Sequence, residues 1–378
     1  MQRPKQKFIL VSVVPPTHST YEAQEDLDEL KSLVDTYGGA DVVDVIQRRS
    51  HPHGGTYIGS GKAEEIAQMV EAKKIDVIVI NAIVNPTQLY HIQQLCWPHN
   101  PDIEVWDRVD LILHIFLNHA SSSEAKLQIK LARMRHMGPR IYGLGESFSQ
   151  QGGGVGTKGL GETNVELMKR HWRNEMKEVQ DKLKEMEKGR LTQVQRRHDL
   201  GLPTVSIVGY TNAGKTSLFN LLTGKKKLEA NILFATLDSS VGKMYDRAHS
   251  REIVISDTIG FIKNLPPDLI EAFKSTLMES IHADLLLHVI DITDPKMDEK
   301  IQVVLEILAG LKLHNKPQIF VFNKIDQSNK EVLTQTVKKY GSFSPFCISV
   351  HTGEGIKNLY LKLIDILPSS SAKARDLV

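Results

Sequence analysis

The chain has 378 residues and a formal net charge of +2, a length that implies two or three domains, each able to bury its own core. At 41% hydrophobic and 24% charged residues it has the profile of a soluble globular protein. Its two cysteines, Cys96 and Cys347, exclude a disulfide framework or a Cys-rich metal site and fit a reducing compartment.

The amino-terminal residues are polar, and the apolar run that follows at 8–14 is too short for a signal-peptide core or a membrane span. No stretch approaches the ~18 uncharged apolar residues that a spanning helix needs, so a cytoplasmic protein is expected. Charge is unevenly spread. Residues 121–200 hold 16 Lys and Arg against 10 Asp and Glu, a net +6, which leaves −4 for the rest. Such a block fits a polyanionic partner, and composition alone fits a solvated helical face equally well.

In chain order, residues 8–14 form a β-rich run, and 22–37 carry apolar residues at helical spacing until Gly38-Gly39 stops them. A short apolar run follows at 41–46, an amphipathic helix at 60–74 and a buried strand at 75–80. Residues 86–97 read as helix and 103–106 as strand. This βαβαβαβ order predicts a small parallel α/β domain over 1–115. From 111 to 136 the pattern is helical, and from 137 to 161 periodicity breaks. Gly152-Gly153-Gly154, Gly156, Gly159 and Gly161 there mark a loop. Residues 163–199 form a long charged helix with a sparse apolar stripe of Val165, Leu167, Met168, Trp172, Met176, Val179, Leu183 and Met186. A helical hairpin tipped by the glycine loop is therefore expected over 116–200. Gly201-Leu202-Pro203 is a hinge, and α/β alternation resumes over 201–367, with strands at 204–208, 252–257, 285–291, 318–323 and 345–349. Residues 368–378 read as a disordered tail. The fold class is thus α/β, with an N-terminal parallel α/β domain, a helical linker and a P-loop G domain.

Five elements of that last domain carry the chemistry. The strand Val205-Ser206-Ile207-Val208 runs into Gly209-Tyr210-Thr211-Asn212-Ala213-Gly214-Lys215-Thr216, then Ser217 and an apolar helix. This is G-x-x-x-x-G-K-[ST] in the strand–loop–helix context that it requires. Backbone N–H groups and the helix N-terminus face the phosphates, Lys215 reaches the β- and γ-phosphates, and the Thr216 hydroxyl ligates Mg²⁺. Gly59-Ser60-Gly61-Lys62 is a decoy, because Thr56 stands where the first glycine is needed and Ala63 where the metal-binding hydroxyl belongs. A backbone turn or a helix start is expected there instead. Between the phosphate loop and the next strand, Phe234-Ala235-Thr236-Leu237-Asp238 offers Thr236 as the switch threonine that completes the Mg²⁺ shell.

The second strand leads to Asp257-Thr258-Ile259-Gly260, where Asp257 holds Mg²⁺ through water and the Gly260 amide contacts the γ-phosphate. The strand at 318–323 ends in Asn323-Lys324-Ile325-Asp326. The Asp326 carboxylate accepts from guanine N1–H and the exocyclic amine, a donor pair that adenine lacks, so GTP is favoured over ATP. Ser349-Val350-His351 supplies backbone contacts to the guanine O6. Lys215, Thr236 and Gly260 are thus the expected catalytic contacts. Many GTPases place a glutamine after D-x-x-G to orient the attacking water, and here Phe261 stands in its place. Slow intrinsic hydrolysis, accelerated by a partner, is expected. Asn212 is a candidate to help bind a K⁺ ion beside the phosphates, or only to cap its loop.

Taken together, the runs Gly-Tyr-Thr-Asn-Ala-Gly-Lys at 209–215, Phe-Ala-Thr-Leu-Asp at 234–238 and Asp-Thr-Ile-Gly-Phe at 257–261 resemble the HflX GTPases. Tyr57-Ile58-Gly59-Ser60-Gly61-Lys62-Ala63-Glu64-Glu65-Ile66, Asp107-Arg108 with Leu113-His114-Ile115-Phe116, and Gly161-Glu162-Thr163 resemble further signatures of that family, so the likeness runs from about residue 8 to 366. The resemblance implies GTP hydrolysis with Mg²⁺, binding to the large ribosomal subunit and its rRNA, and dissociation of stalled or idle ribosomes. Lys158 and Leu160 depart from the family's usual arginine and proline, and little chain follows the G domain where some members carry another. A large-subunit assembly factor would share every motif. A switch for a protein partner is a third reading, against which the basic linker argues. The balanced surface favours a monomer.

Overall fold

The computed structural model describes residues 5–151, 164–226, 233–234, 240–246, 251–263, 265–273 and 277–367. The chain divides into two compact units, Met1–Asn118 with Lys126–Leu183 and Pro266–Ala272, and His119–Ala125 with Lys184–Leu265 and Phe273–Val378.

The first unit is built on β1 (Lys7–Val14), α1 (Thr20–Tyr37), β2 (Ala40–Arg48), α2 (Ser60–Lys73), β3 (Val77–Ile80), α3 (Pro86–Cys96), β4 (Glu104–Asp107) and α4 (Arg108–His119). Its four strands are all parallel, in the order β2-β1-β3-β4. Both faces are covered, so β1 and β3 read as continuous apolar runs, with Phe8, Ile9, Leu10 and Val11 fully buried. Local signals set the helix ends. Ser19 and Glu22 make a reciprocal capping box at the start of α1, and Gly38, at φ +97°, closes it. Asn85 caps α3 with Pro86 in its first turn. As expected of the decoy, Gly59 is only the N-cap of α2.

Two long helices follow, α5 (Ser123–Gln151) and α6 (Asn164–Asp199). Helix α5 overturns the expected break, because it continues through Gly138-Pro139 to Gln151. Only the middle of the α6 stripe packs: Val179, Trp172, Met176 and Leu183 lie against Leu127, Leu131 and Met134 of α5, and the Trp172 indole donates to the Met134 carbonyl at 3.2 Å, whereas Leu167, Met168 and Met186 are exposed. The expected glycine tip at 152–161, with Lys158, falls outside the described residues.

The second sheet is formed by β5 (Thr204–Gly209), β6 (Ser240–Asp246), β7 (Arg251–Asp257), β8 (Leu285–Asp291), β9 (Gln318–Asn323) and β10 (Phe346–Cys347). Its order is β10-β9-β8-β5-β7-β6, parallel throughout except that β6 runs antiparallel at the edge. The helices are α7 (Lys215–Thr223), α8 (Pro267–Ala272), α9 (Met278–His282), α10 (Met297–Gly310), α11 (Lys330–Lys339) and α12 (Ile356–Ile366). Two expectations change here. Strand β6 carries no apolar run and was not foreseen, since as an edge strand it buries only alternate residues, Gly242, Met244 and Asp246. Strand β10 keeps only two of the five residues expected at 345–349: Pro345 precedes it, and Ile348 and Ser349 lead out of it into the following turn. Among the described residues no helix is long and apolar enough to cross a membrane.

Candidate nucleotide site

In open α/β sheets ligands bind outside the carboxyl ends of the strands, where strand order reverses. In the first sheet the reversal falls between β1 and β3, and protein side chains fill it. Arg108, 2% exposed, donates to Asn81 Oδ1 at 2.8 Å and pairs with Glu29. No phosphate loop opens there.

In the second sheet the phosphate loop, the D-x-x-G run, the N-K-x-D run and Ser349 all follow carboxyl ends of strands. Gly209 closes β5, and Tyr210, Thr211 and Ala213 are buried, with Asn212 exposed at φ +63°. Gly214 caps α7 at φ +92°, and a Cβ on it would lie 2.2 Å from the Asn323 amide nitrogen. That contact makes glycine obligatory and shows how close the two motifs lie. Asn323 Nδ2 donates to the Ala213 carbonyl at 2.9 Å, while its Oδ1 accepts from Val350 N–H at 3.1 Å. One side chain thus ties the phosphate loop to the base-recognition turn.

Lys215 is buried in the first turn of α7 and donates to the Tyr210 carbonyl at 2.6 Å. Burial lowers its pKa to about 8, against the pull of Asp257. A cation held this dry gains strongly from a phosphate laid against it. Behind it on β8, burial and then Lys215 itself push His288 down to about 3, so that imidazole is neutral.

The Thr216 hydroxyl donates to Asp257 Oδ2 at 3.0 Å, and Asp257 is fully buried. A hydroxyl and a carboxylate converging at the loop are hard oxygen donors, the set that Mg²⁺ takes. Ser217 follows in α7, half-buried. Phe234, 2% exposed at φ +57°, is described, whereas Ala235, Thr236, Leu237 and Asp238 lie outside the described residues.

After Asp257 the chain is buried residue by residue. The Thr258 hydroxyl donates to the Ile207 carbonyl at 2.7 Å, Ile259 is 5% exposed, and Gly260 packs against Thr211 and Lys215 so closely that a Cβ would meet Thr211 Cγ2 at 2.8 Å. Phe261 does more than lack a hydrogen-bonding group: at 2% exposure its ring is turned into the core. Its main chain bridges the phosphate loop instead, with Thr211 N–H donating to the Phe261 carbonyl at 2.8 Å and Phe261 N–H to the Gly209 carbonyl at 3.1 Å.

Lys324, at φ +66°, reaches back to Asp291 at 2.5 Å. Asp326 is exposed in a short 3₁₀ turn, so its carboxylate is buried only once a base covers it. The Ser349 hydroxyl beside it holds its carboxyl below the usual range. Ser349 is fully buried, Val350 half-buried and His351 exposed.

Two clusters were not legible in the sequence. Tyr210 reaches Lys263, which pairs with Glu299, and Lys300 covers its ring. In the first unit, His136 of α5 lies 3.1 Å from Asp107 and 3.4 Å from Asp110. Both join residues too far apart for spacing to reveal, and neither matches a motif.

A mixed sheet with a phosphate loop, a converging Thr–Asp pair and an N-K-x-D turn at its carboxyl edge defines a P-loop GTPase. Residues 24–117 match the family model "GTP-binding GTPase N-terminal", 119–197 "GTP-binding GTPase Middle Region" and 204–324 "50S ribosome-binding GTPase". The chain is 44% identical over 327 residues to the GTPase HflX of Caldanaerobacter subterraneus subsp. tengcongensis, covering 86% of this chain and 74% of that one. It is 38% identical over 351 residues to the GTPase HflX of Escherichia coli, covering 92% and 80%. The chain belongs to the HflX GTPase family. A solved structure described as "SsGBP and GDP complex" superposes with a TM-score of 0.51 at 26% identity, covering 96% of this chain and 98% of that one.

Proposed function

We propose that this GTPase binds the large ribosomal subunit through rRNA in the cytoplasm and dissociates stalled or idle ribosomes, with the ribosome stimulating hydrolysis. The observation that carries the reading is a site with its phosphate, metal and base elements assembled, while Phe261, the residue in the water-orienting position, is turned into the core. Positioning of the attacking water then falls to a partner. The match of residues 204–324 to a family described as ribosome-binding supports the ribosome as that partner, and the +6 block at 121–200 supports contact with phosphates.

In this reading Lys215 binds the β- and γ-phosphates, the Gly260 amide meets the γ-phosphate, and Asp326 reads guanine with Ser349, Val350 and His351 at its O6. Mg²⁺ is held by Thr216, Asp257 and Thr236, and when bound it neutralises charge on the β- and γ-oxygens. A three-part organisation, 1–115, 116–200 and 201–367, follows from the same roles. Asn212, exposed at the mouth of the loop, is the candidate K⁺ ligand. Equal GTP hydrolysis in potassium and in sodium would remove that assignment.

Mixing the protein with intact ribosomes and a non-hydrolysable GTP analogue, then sedimenting, tests the main reading. Subunit separation with the analogue but not with GDP is expected. Co-sedimentation with large subunits alone indicates an assembly factor, and no binding at low salt defeats both.

A further inference from the structure

Gly260 does not hang free beside the phosphate loop. Protein groups on both sides hold the segment that carries it. On one side are the two main-chain hydrogen bonds of Phe261 to Gly209 and Thr211. On the other, the Lys263 N–H donates to the Tyr210 hydroxyl at 2.9 Å.

Tyr210 lies between the two residues that tie Phe261 and makes the third tie with its own hydroxyl. It is 7% exposed, and its carbonyl accepts from Lys215 at 2.6 Å. The Lys300 ammonium sits 4.9 Å from its ring centroid, which fixes the ring in place. Lys300 and Glu299 share the first turn of α10, and Glu299 pairs with the Lys263 side chain at 2.6 Å. One tyrosine therefore touches Lys215 through its carbonyl, Lys263, three residues beyond Gly260, through its hydroxyl and α10 through its ring face.

We propose that Tyr210 is a positioning residue that sets the preference for GTP over GDP, by pre-placing the Gly260 amide where a γ-phosphate must accept from it. The physical reason is pre-organisation. A segment already held by protein groups loses little further freedom when the γ-phosphate arrives, so more of that contact is expressed as affinity. GDP has no γ-phosphate and gains nothing from the hold. The proposal rests on Gly260 as the γ-phosphate contact and is independent of the ribosome.

Tyr210→Phe removes the hydroxyl and leaves the ring, its burial and the backbone carbonyl. Affinities for GDP and for a non-hydrolysable GTP analogue are measured with Mg²⁺ on the full chain. The expected result is about fivefold weaker binding of the analogue, equivalent to ~1 kcal/mol, with GDP affinity kept. A parallel loss of both affinities, or an unchanged ratio, overturns the role, since a merely structural tyrosine would move the two together. Hydrogen exchange at the Gly260 amide separates the γ-phosphate contact from the tyrosine's role. If the analogue protects that amide no more than GDP does, the γ-phosphate contact itself is misassigned and the proposal falls with it. If the analogue protects it equally in the unaltered protein and in Tyr210→Phe, only the tyrosine's role fails.

Discussion

In the proposed reading, Asp326 is the one side chain that narrows the nucleotide site to guanine. Its carboxyl is exposed and held below the usual range by the Ser349 hydroxyl, so it stays ionised across the neutral range. An ionised carboxylate only accepts, and it matches the paired donors of guanine. Asp326→Asn replaces one acceptor by an amide donor that suits the C2 carbonyl of xanthine. GTP affinity should fall by about 100-fold or more, and xanthosine triphosphate affinity should rise. Competition titrations with the two nucleotides check this, and unchanged GTP affinity would remove Asp326 from the base site. The identity of this residue was plain in the sequence, whereas its exposure was not. The same holds at Phe261: the missing hydrogen-bonding group is evident from its letter, but its burial comes from a main-chain bridge to Tyr210 some fifty positions away.

Between elements, contacts distant in sequence decide how parts are joined. Asp107 ends β4, and Asp110 lies in the first turn of α4. Each accepts from the other's N–H, at 2.9 and 3.1 Å, so the pair caps the helix. His136 of α5 then docks on both carboxylates. Burial alone would lower its pKa, but the hydrogen bonds to Asp107 and Asp110 outweigh it and raise it to about 9. A folded value above the unfolded ~6.5 means that this stabilisation is complete below pH ~6.5 and is lost as pH rises towards 9. His136→Ala should cost about 3 kcal/mol near neutral pH by removing the cation that docks on two buried carboxylates, and should flatten the alkaline decline. Denaturant unfolding of both proteins between pH 6 and 9 reads this, and parallel pH curves would contradict it. Elements that bury a continuous run or a helical stripe, such as β1, β8 and the Trp172–Val179 face of α6, could be read directly from periodicity. Strand β6, which buries alternate residues, could not, because pairing with β7 stabilises it more than its own pattern does, and neither could the continuation of α5 through Gly138-Pro139.

For the whole molecule, the deciding quantity is where the charge lies. The nucleotide site explains residues from Gly209 onwards, and the remaining question is what the +6 block at 121–200 meets. The structure reduces its raw count of 16 basic residues. Lys130 pairs with Glu175, Arg135 with Glu271, Lys182 with Glu178, Arg190 with Glu124 and Arg197 with Glu279. Those five are held by carboxylates, so phosphate contacts should fall short of the total, with the net excess of +6 as the lower measure. Neutralising about six phosphates releases that many counterions, which predicts a roughly 10³-fold loss of ribosome affinity between 50 and 200 mM salt. Sedimentation with ribosomes across that range, with the GTP analogue held saturating, gives the slope. A slope nearly twice as steep would mean that the paired residues let go of their carboxylates on binding, in which case loosening of the α5–α6 packing would have to accompany association. A flat response would show that phosphate contacts do not drive the encounter, and the basic block would then be a solvated helical face, as its composition alone also allows.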